Sequence, residues 1–219
     1  MALVMYDLDG TLLDTAGEIT EAVNRTLRDF NHGSVTEQEV KRWIGHGTGF
    51  LMQQAWAATG ASSHHNWETV MANFMEHYEA TAGTTGKPYP MVMETLAEMK
   101  AKGFKQAVIT NKECRYTQRI IESHGLDQFM DMVICGDTLP IKKPHPGVIQ
   151  HCLHSLDVMT GQSLFVGDSE TDIATARAAG VVCWTVPYGY NHGRPIAMAD
   201  PDRVVPDISY IASYFEGML

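Results

Sequence analysis

The sequence predicts an α/β protein built on a doubly wound parallel sheet, with a small all-helical domain inserted after the first strand. Three observations predict it. Five short apolar runs lack strict polar alternation, helix-period segments separate most of them, and residues 15–83 break the strand–helix rhythm. Runs of this kind suit strands covered by helices on both faces.

The first run, residues 3–8, passes into an acidic, glycine-containing turn, Asp7-Leu8-Asp9-Gly10-Thr11. Residues 15–83 then show helical periodicity and no strand. Ile19, Val23, Leu27 and Phe30 mark one apolar face, and Thr36-Glu37-Gln38-Glu39 has the spacing of a capping box that opens a second helix. More helix is expected over 51–58 and 67–78, with Trp43, Trp56 and Trp67 packed inside the insertion. Ala82-Gly83-Thr84-Thr85-Gly86 reads as a hinge, so residues 1–14 and 84–219 form the expected core and 15–83 the cap. In the core, strands are predicted over 105–110, 130–135, 163–167 and 181–186. Helices are predicted over 91–100, 116–124, 146–156 and 171–179, three of them stopped by Gly103, Gly125 and Gly180.

A chain of 219 residues with 44% hydrophobic content can bury one full-sized core and a smaller second one. The net charge of −10 argues against broad binding to nucleic acid or anionic membranes, while leaving room for a local pocket for a small anion. The start of the chain has no basic leader, and no run of about eighteen apolar residues occurs, which predicts a cytoplasmic protein. Cys114, Cys135, Cys152 and Cys183 form no Cys-x-x-Cys pair, so they read as reduced, buried thiols and support neither a zinc ribbon nor a redox motif.

Four polar clusters fall at or beyond the carboxyl ends of predicted strands, where open parallel sheets bind ligands. They are Asp7 with Asp9, Thr110 with Asn111, Lys142-Lys143-Pro144, and Gly167-Asp168-Ser169 with Asp172. A single sheet would bring them to one rim carrying several carboxylates, a hydroxyl and an amine. Carboxylates so grouped repel unless a cation neutralises them, and a hard, oxygen-liganded ion such as Mg²⁺ fits this donor set better than zinc. A carboxylate can attack phosphorus and divide hydrolysis into two displacements, with a second carboxylate as general acid and base. Asp172, four residues after Asp168, serves either as a helix N-terminal charge or as a residue behind the metal ligands.

Gly45, Gly47 and Gly49 fit neither common glycine-rich phosphate pattern and read as a cap loop that enters the site on closure. His46 in that loop reads as solvated or as a substrate contact; His64 and His65 read as surface residues.

Taken in order, Asp7-Leu8-Asp9-Gly10-Thr11, Thr110-Asn111, Lys143-Pro144 and Gly167-Asp168-Ser169-x-x-Asp172 resemble the four motifs of the haloacid dehalogenase superfamily. The resemblance implies that Asp7 is the nucleophile and a metal ligand, Asp9 the general acid and base with its main-chain carbonyl on the metal, and Asp168 a further ligand. It implies phosphoryl binding by Thr110 and Lys143, the latter also orienting Asp7, and substrate contact by Thr11, Asn111 and Gly47. Ser169 and Asp172 would stand behind the metal ligands.

The helical insertion, Trp43-Ile44-Gly45-His46-Gly47 and Tyr188-Gly189-Tyr190-Asn191-x-Gly193 are most similar to the phosphoglycolate phosphatase subgroup. Glu113 and Ala16-Gly17 depart from its pattern. The activity implied is Mg²⁺-dependent hydrolysis of a small phosphate ester, 2-phosphoglycolate first, by a monomer or homodimer. A sugar or amino-sugar phosphatase, a phosphomutase and a non-catalytic binding module are the alternatives. Residues 45–54 lack the arginine that the cap loop of phosphomutases usually carries.

Overall fold

The computed structural model describes residues 2–60 and 66–216; His64 and His65 lie outside them. Strand β1 (Leu3–Tyr6) is buried along its whole length. Val4 and Tyr6 enter one hydrophobic core and Leu3 and Met5 the other, as the two-residue period of a strand requires. The buried Tyr6 hydroxyl donates to Gln106 Oε1 at 3.0 Å, so it carries no unmet polar group into the core.

After β1 the chain turns through Gly10, whose φ of +86° favours glycine, into β2 (Leu13–Asp14). Four helices follow: α1 (Ala16–Asp29), α2 (Glu37–Trp43), α3 (Thr48–Ala58) and α4 (Trp67–Thr81). The chain returns through β3 (Lys87–Pro88), which pairs antiparallel with β2, Leu13 opposite Pro88 and Asp14 opposite Lys87. The amphipathic face of α1 buries Ile19, Ala22, Val23 and Leu27 as its helix packs on α4. Each such aliphatic side chain contributes about 1.5–3 kcal/mol when fully buried. The capping box at Thr36 is present, with Glu39 and Thr36 satisfying each other's backbone N–H. Trp56 is buried, edge-on to Phe30 and to Trp67. Glu18, buried on α1, accepts the Gly83 and Gly86 N–H groups through Oε2 at 3.1 and 3.2 Å and so holds the returning segment.

The remainder alternates: α5 (Val92–Ala101), β4 (Lys105–Ile109), α6 (Cys114–Ser123), β5 (Met132–Ile134), α7 (Gly147–Ser155), β6 (Ser163–Gly167), α8 (Glu170–Ala179), β7 (Val182–Thr185) and β8 (Arg203–Val204). A 3₁₀ helix, Ile208–Tyr214, follows. The six-stranded sheet has the order β5-β4-β1-β6-β7-β8, all parallel. Side chains of α5, α6 and the 3₁₀ helix fill the core on one face, and those of α7 and α8 fill the other. This is the doubly wound sheet with inserted helices that the sequence predicts.

The differences have a physical reason. β2, β3 and β8 are two residues each, and β8 is exposed, so none makes a hydrophobic pattern. Among the described residues no helix is long and apolar enough to cross a membrane.

Candidate active site

The chain runs from β1 to β4 and β5 on one side, then fills the other side with β6, β7 and β8. The order reverses about β1, and a crevice opens at the carboxyl ends there. Asp7 follows β1 with its N–H on Val166 O at 2.9 Å, and Thr110 follows β4 with its N–H on Ile134 O at 2.9 Å. Asp168 directly follows β6. Side chains remote in sequence are thereby fixed by backbone still in sheet register.

Asp7, Asp168 and Asp172 each place a carboxylate oxygen within 4.8 Å of the others, all three buried. Lys143 enters this group from the loop after β5, its Nζ 2.8 Å from Asp7 Oδ1 and 2.7 Å from Asp172 Oδ1. Asp172 Oδ2 accepts the Ser169 hydroxyl at 2.7 Å and the Ser169 and Asp168 N–H groups at 3.1 and 3.2 Å, within the capping box of α8. Asp172 therefore caps the helix and stands beside the other two carboxylates. Both of its oxygens are engaged by protein groups.

Three carboxylates face one ammonium, and the imbalance has a measurable consequence. Burial, with the Asp172 and Asp9 charges, pushes the Asp7 carboxyl up to about 7 against the opposing pull of Lys143. Burial and the Asp172 and Asp7 charges also raise Asp168 well above the usual carboxylate range. Burial opposes the Lys143 charge, yet Asp172 and Asp7 outweigh it and hold the ammonium above the ordinary lysine range. A hard divalent cation with oxygen ligands removes this excess negative charge, and Mg²⁺ suits the donor set.

Asp168 is held from behind. Thr11 donates to its Oδ1 at 2.9 Å and the Tyr190 N–H to its Oδ2 at 2.6 Å. A methyl group added at Gly10 or Gly189 would overlap this carboxylate, so both glycines are contact positions. Thr11, predicted to bind substrate, instead is buried and outside the cavity lining; this corrects the sequence reading. The physical reason is the turn at Gly10, which directs the Thr11 hydroxyl at Asp168.

Asn111 stands where the sequence reading places it, at the cavity. Its amide donates to Lys143 O at 3.0 Å and Gly45 O at 3.2 Å and accepts the Lys143 N–H at 2.9 Å. Its role in this structure is to seat Lys143 and to meet the cap loop, with both amide hydrogens engaged. Thr110 accepts the Lys112 N–H at 3.1 Å, and its own hydroxyl proton has no acceptor among the described residues. Asp9 lies outside the carboxylate triplet, its Oδ1 taking the Lys112 ammonium at 2.6 Å and the Thr15 hydroxyl at 2.5 Å.

A cavity of about 550 Å³ joins these groups to the inserted helices. Asp7, Asp9, Thr110, Lys143 and Asp168 line one side, and Gly45, Gly47, Thr48 and Phe50 the other. Gly47 and Thr48 start α3 without a side-chain cap, leaving helix N–H groups unmet by a cap there. Lys142, exposed on the rim, would meet a methyl group on Gly47 through its Nζ at 3.4 Å. His46 is exposed and stacks on His192, ring centroids 4.6 Å apart.

The profile of haloacid dehalogenase-like hydrolases matches residues 4–186. The chain belongs to this family. Among its relatives, phosphoglycolate phosphatase 1 of Pseudomonas aeruginosa is 38% identical over 211 residues, covering 94% of this chain and 76% of that protein. The phosphoglycolate phosphatase of Vibrio cholerae is 37% identical over 210 residues, covering 94% and 93%. The crystal structure of a predicted phosphoglycolate phosphatase from Haemophilus somnus superposes with a TM-score of 0.93 at 32% identity, covering 98% of this chain and 97% of that one.

Sequence reasoning missed Lys112, Thr15 and Tyr190 as builders of the family site. Lys112 follows Thr110-Asn111 at a strand end, and a lysine there is a detectable signal. The Tyr190 hydroxyl accepts the Thr15 and Ala16 N–H groups at 2.9 and 3.1 Å and donates to Asp14 at 2.5 Å, a long-range arrangement without a local pattern.

Proposed function

We propose that the chain hydrolyses 2-phosphoglycolate through a phosphorylated Asp7. It is a Mg²⁺-dependent phosphoric monoester hydrolase of the haloacid dehalogenase-like family. The observation that carries the mechanism is Lys143 bridging Asp7 and Asp172 at 2.8 and 2.7 Å beside Asp168. Asp7 and Asp168, with the main-chain carbonyl of Asp9, would hold Mg²⁺, with Asp172 and Ser169 behind them. The bound ion offsets carboxylate charge and polarises phosphoryl oxygen.

Asp7 then forms a bond to phosphorus while the bond to the glycolate oxygen breaks. Asp9 gives its proton to that oxygen and next takes one from the water that releases phosphate. Lys143 and the free hydroxyl proton of Thr110 bind the phosphoryl oxygens.

The substrate's second anionic group, a carboxylate, needs a cationic or N–H-rich partner across the cavity. Gly47 and Thr48 at the start of α3 provide N–H groups, and Lys142 provides charge beside them. This supports the substrate that the relatives are named for. We assign residues 15–83 to a cap and the remainder to the core, in a cytoplasmic enzyme whose described cysteines are all free. Every group named comes from one chain, which a monomer or a homodimer would serve equally.

The test is phosphate release across 2-phosphoglycolate, sugar phosphates, amino-sugar phosphates and nucleotides, with Mg²⁺ and with excess chelator. Metal-dependent preference for 2-phosphoglycolate is expected. Preference for another ester would overturn the substrate and leave the mechanism. No release with Mg²⁺ would overturn both.

A further inference from the structure

The loops after β4 and β5 meet at one wall of the cavity. Gly136 donates to Lys112 O at 2.8 Å, and a methyl group on Gly136 would overlap Asn111 O. At this junction Cys114, Cys135 and Asp137 each place a ligand atom within 4.8 Å of the other two. Cys114 is remote in sequence from Cys135 and Asp137; β4–β5 pairing and the start of α6 bring it to them.

The surroundings already fix all three. Cys114 N–H donates to Asp137 Oδ1 at 2.8 Å, Cys114 Sγ lies 3.3 Å from Thr138 Oγ1, and the same hydroxyl accepts the Cys135 N–H at 2.8 Å. Cys135 is buried, Cys114 half-buried and Asp137 exposed, which gives a solvent path on the Asp137 side. Two thiols and a carboxylate form a soft donor set, distinct in chemistry from the oxygen-only triplet of Asp7, Asp168 and Asp172.

We propose that Cys114, Cys135 and Asp137 form a binding site for a thiophilic divalent cation such as Zn²⁺. With metal–sulfur bonds of about 2.3 Å, a tetrahedral ion holds its sulfurs about 3.8 Å apart, a closure of about 1 Å at most. A disulfide requires about 2.05 Å and a much larger closure. Burial and the Cys114 thiol push the Cys135 thiol up to about 12. On binding, each S–H bond breaks as a sulfur–metal bond forms, and two protons pass to solvent for each ion. The fourth position faces solvent and takes water. A bound ion ties the loop carrying Asn111 and Lys112 to the loop carrying Gly136, bracing one wall of the active site.

The site is independent of which phosphate ester is hydrolysed. It is tested by titrating Co²⁺ into the whole protein under a phosphine reductant, with excess Mg²⁺ on the oxygen triplet. One equivalent should give a near-ultraviolet thiolate-to-cobalt band, which oxygen ligands do not produce. The band should vanish in Cys114→Ser and in Cys135→Ser. Cys114→Ser, at a half-buried position, should keep the wild-type melting temperature, which shows that the loss is not unfolding. Asp137→Asn should keep the band and weaken binding about tenfold. No band at one equivalent, or a band surviving in either serine variant, would overturn the site. Unchanged affinity in Asp137→Asn would overturn the three-donor assignment.

Discussion

Lys112 Nζ lies 2.6 Å from Asp9 Oδ1, with side-chain exposures of 5% and 11%. The pair joins the end of β4 to the turn after β1 and fixes the carboxylate to which the proposed mechanism gives the leaving-group proton. Removing one member of such a pair strands the other without its counter-charge. Lys112→Met should therefore lower kcat by about 10–100-fold, the range expected when a charge-assisted hydrogen bond of about 1.5–3 kcal/mol is lost. Steady-state kinetics checks it, and an unchanged kcat would remove Lys112 from the positioning of Asp9.

Asp7→Asn removes the proposed nucleophile with little change in volume. Turnover should fall by about 10⁴-fold or more, while circular dichroism stays as in the wild type. Asp9→Asn should cost about 10²–10⁴-fold, since it removes proton transfer and leaves the attacking group in place. Rapid-quench detection of phosphorylated protein in Asp9→Asn, with slow breakdown, is the matching observation; fast breakdown would free Asp9 from its role.

Gly189→Ala places a methyl group where the Asp168 carboxylate stands. The half-saturating Mg²⁺ concentration should rise about tenfold or more, the scale seen when support of a metal ligand is lost. Mg²⁺ titration of phosphate release checks this, and an unchanged midpoint would show that Asp168 does not hold the ion.

The raised Asp7 carboxyl gives a pH signature. Its folded value of about 7 exceeds the ordinary carboxylate value, so the cation-free fold favours protonated Asp7. That stabilisation is full below about pH 4 and is lost as pH rises through about 7. Mg²⁺ binds the ionised form. The rise in Tm on adding Mg²⁺ should thus grow between about pH 5 and about pH 8, and a pH-independent rise would contradict it.

Much of this architecture was legible in the residues. The burial of β1 on both faces follows from Leu3-Val4-Met5-Tyr6, and the start of α2 follows from Thr36 and Glu39. The strand ends also located the carboxylates correctly, because a strand's termination is written locally. Thr11 was misread for the opposite reason. It is a hydrogen-bonding residue beside a reactive one, and its partner, the Asp168 side chain, stands 157 positions away. Tyr190 belongs to a motif singled out in the sequence, but its role was not legible because its hydroxyl acts across 174 to 176 residues, on Asp14, Thr15 and Ala16. The Cys114–Cys135–Asp137 group was invisible for the same reason: its spacing matches no linear metal motif.

The pairing of β2 with β3 sets Leu13 beside Pro88 and Asp14 beside Lys87. The two points at which the chain enters and leaves the inserted helices are therefore adjacent, about one inter-strand spacing apart. Any segment whose ends lie that close can be grafted between them without altering strand order or the Asp7 turn. An insertion with such closely spaced ends leaves the order of the six-stranded sheet unchanged, whatever its own length.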